Sequence, residues 1–440
     1  MPVSNDNRQP TTEELNDVNQ DTVQWAAKAK RVMNVDGTGT PISTTNPISV
    51  REQNTRRTTF EEFLVATRTS RFNFKPTWGV SELRDVVTET GTGASVGETG
   101  GEFKVSTGTA TDNVAQIATK QRGQYQAGTQ GEAGVGIRIP TTPTGTQFGE
   151  WGYFDDQNGF GFGVDVTGIY VFILESGTKT KTYQDNWNLD KVDGTGDSGV
   201  TLDLSDGNIF QIDFTWYGYG AIEFTLNTTA INRSVDLRVP LHAVTQTGEV
   251  SVVDPNQPVT VRAENGATSD TNFDVYVGGR NFCVVDGISE PQKRDVPIEV
   301  TGFSVTSTSF VAAAAIRKKT TFNGRNNSVN VRFRDVQVST DNPVIINVDI
   351  GGSVTGGTWS SPSDVQSAET AIETNTTFTG DTAYTSAGKF LVSSDKNTPT
   401  NQAFTESVIV GDTETLIIYI KKTTNTDAVV DLIIDIEEEW

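Results

Sequence analysis

The stretch Gly149–Gly177, "GEWGYFDDQNGFGFGVDVTGIYVFILESG", decides the fold. Phe160, Phe162, Val164 and Val166 alternate with Gly161, Gly163 and Asp165, the period of a strand with one apolar face. Asp155-Asp156-Gln157-Asn158-Gly159 is a turn built on acids and amides. Ile169–Leu174 is a continuous apolar run, which reads as a strand buried on both faces. The segment is therefore strand, turn, strand, turn, strand. Its glycines share one face and let a bulky side chain or another backbone come close. The aromatic stripe points inward and reads as core. A sugar-stacking platform would need those rings exposed.

Outward from this segment the same period recurs. Phe210, Ile212, Phe214 and Trp216 alternate with Gln211, Asp213 and Thr215. Ile222, Phe224 and Leu226 follow after the turn "YGYG", and Val329, Val331 and Phe333 alternate with Asn330, Arg332 and Arg334. Turn dipeptides stand at Asn158-Gly159, Asp193-Gly194, Asp206-Gly207 and Asn323-Gly324. No helical pattern separates these strands, so the spacing is that of a sandwich or jelly roll rather than of βαβ units. The reading is all-β, with two consecutive antiparallel β-sandwich or jelly-roll domains. A charged, proline-bearing break at "SEPQKRDVP" sets them at 103–290 and 291–440.

The N-terminus follows a different period. Leu15, Val18, Thr22, Trp25, Ala29 and Val32 are spaced 3-4-3-4-3, which places one narrow apolar stripe on a helix. Thr11 and Glu14 form a capping-box pattern, and Asn34 and Gly37 stop the helix. Residues 1–34 are thus expected to anchor or oligomerise the chain through that stripe. Residues 35–102 read as an extended arm and linker, with the Gly/Thr-rich 87–102 as loop.

Composition narrows the chemistry. The 440 residues carry a formal net charge of −22, which disfavours nucleic acid as a partner. A single cysteine, Cys283, in the apolar run "NFCVVDG" reads as a small buried hydrophobe, and with a single histidine, His242, a Cys/His zinc cluster is impossible. No apolar run reaches the ~18 residues of a membrane span, so no membrane insertion is expected. Two carboxylates for glycoside hydrolysis could come from Glu150, Asp155, Asp156 and Asp165, or from Asp213 and Glu223. With 56 acids in the chain, such pairs arise by chance. "DNWNLDKVDGTGDSG" offers Asp190, Asp193 and Asp197 as weak Ca²⁺ ligands, but Lys191 stands where an EF-hand needs glycine, and an Asx-stabilised turn is the simpler reading. No cofactor is otherwise implied: there is no Walker loop, and no GxGxxG opens a helix.

The series "SELRDVVTETGTG", "KQRGQYQAGTQGEAGVGIRIP", "WGYFDDQNGFGFGVDVTGIYV", "DNWNLDKVDGTGDSGVTLDLSDGNIFQIDFTWYGYGAIEFTL" and "YVGGRNF" resembles structural proteins of tailed viruses, including marine bacteriophages and some large DNA viruses. "TDNPVIINVDIGGSVTGGTWSSPSDVQSAE" continues the resemblance, which spans roughly residues 80 to 375. It implies a non-enzymatic virion protein on the particle surface: a head decoration, turret or spike, or a tail fibre component. Implied partners are copies of itself, neighbouring capsid or tail proteins, and a glycan or protein of the host surface. The N-terminus lacks an apolar signal core, so synthesis is expected in the host cytoplasm without a signal peptide. The alternative is a carbohydrate-binding or polysaccharide-depolymerising β-protein.

Overall fold

Alternating apolar and polar residues pair into antiparallel sheets throughout the computed structural model. It describes residues 68–440 apart from 216–217, 230–235, 246–249, 251, 269–270, 286–291, 364, 379, 382–384 and 394–399. The helix read at 1–34, with Leu15, Val18, Thr22, Trp25, Ala29 and Val32, lies outside the described residues, as does Trp216.

The chain opens with β1 (Arg68–Phe74), β2 (Asp85–Thr90), β3 (Ser95–Thr99), β4 (Glu102–Ser106) and β5 (Val114–Thr119). There follow β6 (Gln130–Arg138), β7 (Phe148–Phe154), β8 (Gly159–Asp165), β9 (Gly168–Glu175) and β10 (Thr178–Tyr183). Next are β11 (Asn208–Phe214), β12 (Ile222–Thr229), β13 (Asp236–Val244), β14 (Val259–Glu264) and β15 (Asp274–Val285). These fifteen strands form two sheets. One has the order β13-β12-β11-β6-β15-β4-β3, with β1 also paired to β15, and the other is β10-β9-β8-β7-β14-β5-β2.

The quoted stretch is β7, β8 and β9, with Trp151 opposite Phe162 and Tyr153 opposite Phe160. Trp151, Tyr153, Phe160, Phe162, Phe210 and Phe214 are all fully buried between the sheets. Their rings interlock across the gap. Phe162 and Phe210 lie 4.8 Å apart, Phe160 meets Phe214 at 4.8 Å and Trp151 meets Phe210 at 5.0 Å. Aromatic pairs at such distances add to the stabilisation from area burial alone. Cys283 is buried in the same sandwich, on β15.

The first sandwich starts earlier than the sequence pattern suggests. Residues 68–102 are not an arm: β1 pairs with β15, β2 with β5 and β3 with β4. Residues 87–102 escaped notice because β2 and β3 are solvent-facing end strands of their sheets, and such strands need few apolar residues. Only the polar run "SVGET" marks β3.

The second sandwich comprises β16 (Lys293–Val305), β17 (Val311–Lys318), β18 (Thr321–Phe322), β19 (Arg325–Asn326) and β20 (Asn330–Thr340). It continues with β21 (Val344–Gly352), β22 (Val354–Thr355), β23 (Ile372–Asn375) and β24 (Gly380–Asp381). It closes with β25 (Thr385–Val392), β26 (Thr400–Val410), β27 (Thr415–Lys422) and β28 (Ala428–Glu439). Sheet β16-β28-β20-β26 faces sheet β23-β17-β27-β21-β25 across an aliphatic core that includes Val331, Phe333, Ile346, Ile418, Ile434 and Ile436. Pro297, part of the charged break in the sequence, sits inside β16 opposite Asp435. A proline is tolerated there because β16 is an edge strand and one of its sides needs no donors.

Arg122 ties the two sandwiches together. Its guanidinium donates to Asp155 (3.0 Å) and to the Asn256 carbonyl (3.1 Å) in the first sandwich, and to Asp412 (2.8 Å) in the second. Its backbone exchanges two hydrogen bonds of 2.9 Å with the Asn330 side chain. Lys318 also donates to Asp412, and Lys120 pairs with Glu414 at 2.6 Å. Burial opposes ionisation of Asp412, but Lys318 and Arg122 outweigh it and hold the carboxyl well below the usual range.

Candidate functional site

The outer face of the seven-stranded sheet holds the acids and aromatics singled out in the sequence. The Phe172 ring lies over Gly161 and the Tyr170 ring over Gly163. A Cβ on Gly163 would sit 2.4 Å from Tyr170 Cζ. The glycine face of β8 therefore exists to seat two rings. Phe154, Tyr170, Phe172 and Leu174 form a small buried cluster there, with Tyr183 packed against it.

Lysines from β10 close over this cluster. Lys179 donates to both oxygens of Glu150 at 2.6 Å, and the Tyr170 hydroxyl donates to Glu150 at 2.9 Å. Lys181 lies 4.1 Å over the Tyr170 ring and donates to Asp165 at 2.9 Å, as does the Tyr183 hydroxyl. Burial pushes the Tyr170 phenol up, and the neighbouring Glu150 carboxylate adds to the effect. Burial also opposes the charge on Asp165, but its hydrogen bonds from Lys181, Tyr183 and the Thr167 N–H prevail and hold it below the usual carboxylate range. Arg262 pairs with Glu264 at 2.6 Å and with Asp156 at 3.5 Å. Asp155 belongs to the Arg122 joint. Glu150, Asp155 and Asp165 are thus each bound to a cation, and the rings beside Glu150 and Asp165 are buried, whereas Asp156 is exposed and pairs only loosely with Arg262. Around Glu150 and Asp165 the face is an ionic and aromatic lattice.

The other acid pair does come together. Asp213 and Glu223 are cross-strand partners on β11 and β12, and Arg238 contacts both. Gln130 donates to Asp213 at 2.7 Å. Burial raises the carboxyl pKa of each, and Arg238 works against that rise. One guanidinium serves two carboxylates.

Asp190, Asp193 and Asp197 do not converge on a metal position. Asp190 is buried and accepts the backbone N–H groups of Val192 and Ser198, both at 2.8 Å. Asp193 accepts from the N–H (2.8 Å) and hydroxyl (2.6 Å) of Thr195. These carboxylates shape their own loop. Among the described residues no group of three or more His, Cys, Asp or Glu side chains could hold a metal ion. His242 is buried and accepts from the Asn188 N–H at 3.2 Å, and burial lowers its pKa.

A groove of about 190 Å³ opens along β9 and β10 at the edge of the first sandwich, lined by Val171, Phe172, Ile173, Glu175, Thr178, Thr180, Thr182 and Val244. A polar cavity of about 420 Å³ opens on the second sandwich, lined by Arg317, Lys319, Phe322, Asn323, Ser367 and Glu373 among others. Sequence reasoning missed this second cavity. The available signal was the basic triplet Arg317-Lys318-Lys319, which directly follows the apolar run "VAAAAI" in a strongly acidic chain.

No family model matches the sequence, and comparison with curated proteins finds no relative. Several solved β-structures align with about half of the chain. A legume lectin-like domain from Entamoeba histolytica is 10% identical, with 45% of this chain and 89% of that one covered and a TM-score of 0.29. A β-1,3-glucanase from Mycobacterium marinum is 11% identical, with 48% and 98% covered and a TM-score of 0.32. Lectin I-B4 from Griffonia simplicifolia is 12% identical, with 48% and 99% covered and a TM-score of 0.30. The likeness extends to the layered β-architecture and no further.

Proposed function

We propose that this chain is a non-enzymatic structural protein of a virion surface, built as a projection and assembled from copies of itself. One observation carries the reading: the acids and rings that would make a catalytic or sugar-stacking face on β7–β10 are locked into Glu150–Lys179–Tyr170 and Asp165–Lys181–Tyr183. A glycosidase needs two carboxylates free to reach the glycosidic bond and a water. A structural sheet needs its charges paired and its surface closed. The joint around Arg122 fits the same role, since it fixes two sandwiches as one unit. The resemblance of the sequence to structural proteins of tailed viruses points the same way. Locating the chain in a density map of intact particles tests the proposal. Its presence in external projections is expected; absence from purified particles would overturn it.

A second reading, glycan binding, has its own observation. The cavity on the second sandwich is lined mainly by amide, hydroxyl and charged groups, with the Phe322 ring among them, so a ligand rich in hydroxyls suits it better than an apolar one. Incubation of purified protein with polysaccharides separates binding from turnover: binding without new reducing ends fits this reading, and turnover would overturn the non-enzymatic one.

A further inference from the structure

We propose that the cavity on the second sandwich binds an acidic sugar, with Lys319 receiving the carboxylate or sulfate. This inference rests on the glycan-binding reading and assigns it a site and a ligand class. The cavity, at about 420 Å³, is within the range of small-ligand sites.

Its charges are unequal. Arg317 donates from Nε (3.1 Å) and Nη2 (2.9 Å) to a single oxygen of Glu373, so that pair is internally neutral. The Lys319 ammonium is held by neutral acceptors, the carbonyls of Ser367 (2.6 Å) and Thr370 (2.7 Å). Among the described residues no carboxylate forms an ion pair with it. Lys319 therefore lines the cavity with no carboxylate at ion-pair distance, while Glu373 and Glu438 favour its charge from further away. The two carbonyls aim the ammonium, and its remaining hydrogen meets only the Ser367 hydroxyl at a long 3.5 Å, a contact that an anionic ligand would replace.

The walls favour a sugar over a bare anion. Arg317 is stacked on Trp359 at 4.0 Å, which immobilises that side. Phe322 is braced edge-on by Trp440 at 4.9 Å. It offers an apolar surface of the kind that meets the C–H face of a pyranose. Asn323 and Gly324 have φ of 48° and 77° and connect β18 to β19 in a tight two-residue turn. Such a turn holds the Asn323 amide on a stiff support. Asn323 and Ser367 can then exchange hydrogen bonds with ring hydroxyls. A small inorganic anion would use only Lys319 and leave the rest of the cavity to water.

The test is calorimetric titration of the full chain with a galacturonic acid trimer, a sulfated galactose oligomer and the methyl-esterified, uncharged trimer. The charged oligomers should bind, more weakly as salt is raised, and the esterified one should not. Lys319→Gln should lower affinity about tenfold or more, as expected for a lost charge-assisted hydrogen bond, while Lys319→Arg retains most of it. Thermal midpoints of both variants identify any loss of fold, and Asn323→Ala supplies an independent change in the same wall. If wild type binds but Lys319→Gln and Asn323→Ala bind equally well, the site is wrong and glycan binding stands. Equal binding of the esterified trimer overturns the ligand class. If wild type binds none of the oligomers, the inference falls, and the glycan-binding reading falls with it only if the polysaccharides of the first test also fail to bind.

Discussion

Replacing Asp85 by alanine should be among the most damaging single changes in the first sandwich. Asp85 begins β2 on one sheet, and Arg280 projects from β15 on the other. They form an ion pair in which both side chains are fully buried. Asp85 also accepts from the Ser81 N–H at 2.9 Å and from Arg84 Nε at 3.1 Å. The Arg280 guanidinium lies 5.1 Å over the Phe103 ring, and its Nε and Nη1 have no hydrogen-bond partner. Burial lowers the Arg280 pKa, and Asp85 is the group that opposes this. Asp85→Ala strands a charge in the core, which costs about 3–5 kcal/mol. The pair itself is a poor bargain, because each unsatisfied buried donor costs about 1–3 kcal/mol. The double variant Asp85→Leu/Arg280→Met should therefore be far more stable than Asp85→Ala, and short of wild type only by what the Ser81 N–H and Arg84 Nε lose with their acceptor. Urea unfolding followed by tryptophan fluorescence measures this, since Trp151 is fully buried in the same core. A cost below about 1 kcal/mol for Asp85→Ala, or a double variant no better than the single one, would refute the reasoning.

Other residues give further tests. Gly163→Ala should destabilise the first sandwich by about 1–3 kcal/mol through overpacking against Tyr170, read as a lower urea midpoint. Phe214→Ala should cost about 3–5 kcal/mol in the same assay, since the ring is fully buried against Phe160 and Tyr153. Asp435, pushed up to about 6 by burial and by the facing Asp335 carboxyl, takes up a proton on folding. Its contribution is therefore full at low pH and lost as pH rises from the usual carboxylate range through about 6. Asp335→Asn should raise the melting temperature at pH 7.5 and flatten the dependence between pH 4 and 6.5; an unchanged pH profile would be incompatible with the pairing.

What the sequence made legible follows from period. Phe160, Phe162, Phe210 and Phe214 alternate with polar or glycine residues, and all four are core, because a side-chain period of two places them on one face whatever the topology. The glycines of β8 were readable as seats for bulky groups, but not as seats for Tyr170 and Phe172. Those rings come from β9, whose uniformly apolar run conceals which face each residue takes. Exposed end strands gave no signal at all. β3 pairs through its backbone, and "SVGET" carries too little apolar surface to differ from a loop. Long-range ion pairs were equally hidden. Arg122 and Asp412 are separated by 290 residues, and nothing in either neighbourhood names the other.

That same separation bears on how the molecule works. A flexible tether between sandwiches would let each reorient, and a ligand held by one would not constrain the other. Here Arg122 bonds to Asp155 and the Asn256 carbonyl on one side and to Asp412 and Asn330 on the other. Lys318, whose neighbour Lys319 lines the cavity of the second sandwich, shares Asp412 with Arg122. The cavity wall and the joint are therefore consecutive residues of one chain segment. Arg122→Ala would leave Asp412 with Lys318 alone and break the contact to Asp155. Asp412 would lose one of its two cations, and the Lys318–Asp412 bond next to Lys319 would be held less firmly. The expected outcome is weaker binding of the galacturonic acid trimer together with a broader distribution of particle shapes in small-angle scattering. Unchanged scattering with unchanged affinity would show that the sandwiches are held by other contacts and that the joint carries no load.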